Sequence, residues 1–193
     1  MSRLHYLSGL IWVAVCLALL GSGRPADLAH GPSPTFGSST GPGGWFQAVK
    51  PYCNALEVDM AFQASPPPSG MEGAGFASAC LALAGRIDDA RAAILELPEA
   101  DRYQAAGIVF EVGHPVADAG DDRSAGPIMG LVVEFWHNHY MALYHAGMAD
   151  YATGRMDLAR SHLTAFLENY QQLDGWHANA VTVLGRLAQG GGQ

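Results

Sequence analysis

The chain has 193 residues, enough for one domain and a tail. Hydrophobic residues make up 49% and charged residues 15%, which excludes both a disordered chain and a highly charged coiled coil. Ten basic against 18 acidic side chains, net −8, provide no basic face for a phosphate backbone, so nucleic acid is excluded as a partner.

Arg3 and the amino terminus form a small positive region, followed by 14 uncharged residues from Leu7 to Leu20. That length suits the core of a secretory signal and is short for a membrane span. Residues 1–23 are expected to be a signal peptide or an N-terminal membrane anchor, both readings standing equal. Cys16 follows Val15 rather than a small residue, which argues against a lipoprotein cysteine. In residues 21–44, eleven of 24 are Gly or Pro, so 24–44 is expected to be a flexible linker. The remainder, 45–189, carries eight basic and 17 acidic side chains. Such an acidic body is repelled by anionic lipid, so any membrane contact rests on the N-terminal segment.

Pro51–Phe62 is read as a helix with stripe Cys53, Leu56 and Met60, ended by Pro66-Pro67-Pro68. Next come a small-residue helix ending before Gly85 and a second helix with stripe Ile87, Ala90 and Ile94. Tyr103–Val112 reads as a helix ending at Gly113. Pro127–Trp136 reads as another, with Pro127 in its first turn. Residues 114–126 between them are expected to be an inserted loop. A further small-residue helix ends before Gly154 and is followed by the stripe Met156, Ala159 and Leu163. Trp176, Ala180, Val183, Leu184 and Leu187 mark a closing helix that covers the last pair.

Two of these stretches are copies. Gly85-Arg86-Ile87-Asp88-Asp89-Ala90-Arg91 and Gly154-Arg155-Met156-Asp157-Leu158-Ala159-Arg160 share Gly, Arg, Asp, Ala and Arg at an offset of 69, and Ala77 and Ala146 match at the same offset. Gly85 and Gly154 are the tight turns, where positive φ is available; Ala90 and Ala159 leave room for close helix crossing. Gly147, Gly154, Ala159 and Phe166, with Tyr144 and Tyr151 supplying ring bulk, resemble the tetratricopeptide repeat family over 139–170, and 71–98 does so less fully. The sequence departs from that pattern in lacking a Pro after Phe166. An offset of 69 is close to twice the family's period of about 34 residues. The resemblance implies an all-α fold: a right-handed stack of antiparallel helical hairpins, an α-solenoid, preceded by the hydrophobic segment and linker. It also implies a protein-binding groove lined by first-helix side chains.

Cys53 and Cys80 are disulfide candidates if the compartment is oxidising; two buried free thiols are the alternative. Asp118, Asp121 and Asp122 lack a calcium-loop spacing. His137 and His139 diverge on one helix and converge only if the chain turns at Asn138. No phosphate loop, dinucleotide fingerprint, nucleophile elbow or Cys-x-x-Cys is present. The expectation is therefore a non-enzymatic adaptor or accessory subunit of an envelope complex. It would need no cofactor or metal and would lie on the periplasmic or extracytoplasmic side. Its partner would be a protein, bound through Tyr140, Tyr144, His137, His139, Asp118, Asp121 and Arg123. The alternative is a metal-dependent hydrolase using His114, Asp118, His137 and His139.

Overall fold

Trp45, Phe46 and Val49 recur at helical spacing and are all buried, and they define the first helix, α1 (Gly41–Val49). The computed structural model describes residues 41–190, and these lie within one unit, 35–193. The expected segment 1–23 and residues 24–40 of the expected linker lie outside the described residues. Residues 41–44 are helical rather than linker: Pro42 suits a first helical turn, and the buried aromatic pair behind it holds the turn in place. Phe46 stacks on Phe76 at 5.1 Å, and the Trp45 indole N–H donates to the Ser65 carbonyl at 3.0 Å.

The helix expected over 51–62 is broken. A 3-10 turn (Lys50–Tyr52) precedes α2 (Val58–Ala64). The cause is Asn54, whose side-chain oxygen accepts from the Leu56 and Glu57 amides at 3.1 and 3.2 Å and so competes with the helix ladder. Leu56 and Met60 are consequently exposed, and Cys53, Val58 and Ala61 are the residues that go inside.

Seven helices follow: α3 (Met71–Leu83), α4 (Ile87–Leu95), α5 (Glu99–Asp118), α6 (Asp122–Phe135), α7 (Tyr140–Ala152), α8 (Met156–Asn169) and α9 (Gly175–Gly190). Among the described residues there is no strand, and the fold class is all-α. No helix among them is long and apolar enough to cross a membrane.

Gly85 and Gly154 occupy equivalent bends, with φ of +76° and +82°. In each bend the glycine amide reaches back to a carbonyl three residues earlier (Ala82, Tyr151), and the next amide reaches five residues back (Arg86 to Leu81, Arg155 to Asp150). This double bond pattern satisfies the last carbonyls of the first helix. The second-helix stripes match as well: Ala90 and Ala159, Ile94 and Leu163 are wholly buried.

The middle unit differs from the sequence expectation. Helix α5 does not stop at Gly113 but runs through it to Asp118, and α6 begins at Asp122, so residues 114–126 are not an inserted loop. The bend is at Gly120, φ +79°, with the same two hydrogen bonds: Gly120 to Ala117 and Asp121 to Val116. It lies 35 residues after Gly85 and 34 before Gly154. Ala125 and Met129 hold the places of Ala90 and Ile94 and are as fully buried. Gly113 holds the place of Gly147. A Cβ at Gly113 would sit 2.6 Å from the Ile128 side chain, and one at Gly147 would sit 2.7 Å from Leu163. Pro127 lies inside α6 rather than in its first turn, which Asp121 caps by accepting from the Ser124 amide.

Three like hairpins therefore follow one another, α3–α4, α5–α6 and α7–α8, with α9 packed on α8 and α7. First helices touch in order: α3 meets α5, α5 meets α7 through rings, and α7 meets α9 through Tyr144 and Trp176. Arg91 of α4 pairs with Glu134 of α6 at 2.8 Å. Cys53 and Cys80 are joined, with Cα atoms 4.9 Å apart, tying the segment before α2 to the last turn of α3.

Candidate functional site

Small residues on the first helices let them approach closely, and rings on and beside these helices touch one another. These rings form an unbroken run. Tyr103 of α5 meets Trp136 edge-on, Trp136 meets His139, and His139 lies 4.1 Å from Phe110. Phe110 stacks on His114, and His114 meets His145 of α7 at 5.0 Å between centroids. From His145 the run passes to Trp176 of α9, then to Tyr144, Phe166, Tyr170 and Tyr140. Tyr140 also stacks on His139 at 6.2 Å, so the run closes on itself. Phe110, Tyr144, His145 and Phe166 in it are buried, while Tyr103 is 46% and Tyr140 42% exposed.

The expected site residues separate into groups. Tyr140 and Tyr144 of α7 join the run. Trp136 ends α6, and the chain turns before α7. That turn does not make His137 and His139 converge. His137 is exposed, with Nδ1 on the Val133 carbonyl at 2.9 Å. His139 caps α7: its Nδ1 accepts from the Ala142 amide at 3.2 Å, which requires a neutral ring. Burial, the largest influence, lowers its pKa. The four-residue hydrolase set is thus not assembled, because His137 faces its own helix end.

Asp121 and Arg123 stand at the Gly120 bend. They line a cleft of about 390 Å³ with Leu83, Ile87, Val116 and Pro127, between the first two hairpins. Hydrogen bonds from Ser124 hold the Asp121 carboxyl below its ordinary pKa, and Arg123 adds to the effect.

Asp118 goes elsewhere. One turn after His114 on α5, it points with His114 toward His145 of α7. The two Nε2 atoms are 3.1 Å apart, and the Asp118 carboxylate lies 3.4 Å from His114 and 3.7 Å from His145. Among the described residues this is the one group of three metal-type ligands with converging atoms. Burial, then the neighbouring His114, lowers the His145 pKa to about 4, so the ring is neutral at physiological pH. His145 stands in the sequence as one of a dense set of histidines. Only the packing of α5 against α7 selects it, because its partners lie 31 and 27 residues away.

A second buried polar group is Asp150 of α7, which accepts from Arg155 at 2.7 Å and from the His162 ring at 2.8 Å. It braces the Gly154 bend from within, since its own carbonyl also accepts the Arg155 amide.

No family model matches the chain, and neither a curated protein nor a solved structure matches it.

Proposed function

We propose that the chain is a non-enzymatic adaptor of the tetratricopeptide-like kind, whose hairpins stack as an α-solenoid and whose first-helix face docks a protein segment. The observation that carries this reading is the run of rings that α5, α7 and α9 share with Trp136 and Phe166, buried at Phe110, Tyr144 and His145 and exposed at Tyr103 and Tyr140. Rings supply large contact area at low entropic cost and are enriched where proteins meet. A bend repeated at 34 and 35 residues supports the repeat reading. The joined Cys53 and Cys80 support an extracytoplasmic setting, reached through the N-terminal signal or anchor. The net charge favours a partner surface with basic character.

The test is site-specific photo-crosslinking in native membranes. A photoreactive residue at Tyr103 or Tyr140 should give one discrete adduct. The same residue at Leu158, 50% exposed on second helix α8, should give none. Equal adducts at all three positions, or adducts at none, would refute the docking face.

A further inference from the structure

We infer that His114, Asp118 and His145 form a three-ligand site for a divalent transition-metal ion of the zinc class. The inference goes beyond the adaptor reading and does not depend on it. Its basis is the triangle of donor atoms, with edges of 3.1, 3.4 and 3.7 Å. A tetrahedral ion with ligands at about 2.0–2.1 Å requires donor atoms about 3.3 Å apart. The observed edges bracket that value.

Hydrogen bonding alone does not explain the arrangement. One imidazole N–H can donate to the other ring's lone pair across 3.1 Å, but the carboxylate is too far from either ring for a good N–H···O bond. The carboxylate is nonetheless aimed between the two nitrogens. Three potential ligand atoms thus face one another at distances a single ion can span.

The ligand types select the ion. Two imidazoles and one carboxylate suit zinc, nickel, copper or iron, whereas calcium and magnesium take oxygen ligands. The rings are held in orientation: His114 lies on Phe110, and His145 meets Tyr144 and Trp176 edge-on. The site is open on one side, with the Asp118 side chain 54% exposed, His114 27% and His145 10%. An ion there would keep a fourth position toward solvent. It would also clamp α5 to α7, which meet through the His114 and His145 rings.

The experiment is calorimetric titration of Zn²⁺ alone into the untagged full-length chain near neutral pH, with Co²⁺ as a spectroscopic probe. One ion per chain should bind, and Co²⁺ should show the visible bands of a four-coordinate site. Loss of a ligand should weaken binding about tenfold or more in H114Q, D118N and H145Q, while H137Q should bind as the parent does. D118N alters an exposed group, so it reads the site even where H145Q fails to fold. Absence of saturable uptake, or uptake unchanged in H114Q and D118N, would overturn the proposal.

Discussion

Gly85, Gly120 and Gly154 adopt positive φ with open space where a Cβ would stand, so a substitution there strains only the backbone. Each Gly→Ala change should therefore cost about 1–2 kcal/mol, alike at the three positions, read as a shift of the urea midpoint. A markedly smaller loss at Gly120 would mean that the middle bend is not equivalent. Ser78 is the opposite case. It occupies the register of Gly113 and Gly147, is fully buried, and its hydroxyl has no hydrogen-bond partner. Ser78→Ala should stabilise by about 1 kcal/mol in the same assay, because it removes an unsatisfied polar atom at nearly constant volume. His145 sets a pH dependence. Its folded pKa, about 4, lies below the ordinary 6.5, so between these values the unfolded chain binds more protons. Stability should fall as pH drops from about 7 toward 4, by up to about 3 kcal/mol from this group. The groups facing it are His114 and Asp118 of α5 and Trp176 of α9. His139, also shifted down by burial, adds a slope of the same sign. H145Q should flatten the curve of melting temperature against pH.

At the scale of helices, close crossing is what the small residues provide. In Gly147→Ala the new methyl would meet the Leu163 side chain at 2.7 Å, so α7 and α8 must part or Leu163 must change rotamer. Overpacking of this kind costs about 1–3 kcal/mol, with no backbone strain to add, since Gly147 is helical. The Cys53–Cys80 bond acts on a different element, closing a loop over 27 positions that contains α2 and the proline break. Replacing both cysteines by Ala should lower stability by roughly 3 kcal/mol, seen in denaturant unfolding. The outer hairpins were legible in the sequence because Gly, Arg, Asp, Ala and Arg repeat letter for letter. The two helices of the middle hairpin were legible too, but its bend was hidden because Asp121 and Asp122 replace the Arg and the apolar residue after the glycine. What survives there is the steric minimum: Gly120 at the bend, Ala125 five residues on, Met129 nine on and Gly113 seven before. Searching for that spacing alone, without the charged letters, would have found it. Gly113 was misread as a helix end because a glycine required for close packing looks the same in sequence as one required for a turn.

Across the whole molecule, α9 covers the last hairpin: Ala180, Val183 and Leu187 pack on Leu143, Leu163 and Phe166. A chain ending at Asn169 would leave that apolar face uncovered. It should self-associate in light scattering where the full chain does not. The sequence by itself determined the helical class, the outer bends and the closing helix, since these depend on periodicity and on glycine's access to positive φ, which are local. It also offered Cys53 and Cys80 as a candidate pair, and His114 and Asp118 as residues of interest without His145. Only the tertiary structure decided which of them meet. Asn54 redirected the chain and exposed Leu56 and Met60; His137 bonded its own helix end; and α5, extended by one and a half turns past Gly113, carried His114 and Asp118 up to His145. Such meetings depend on the packing of side chains many residues apart, and no pattern read along one strand of letters encodes that distance.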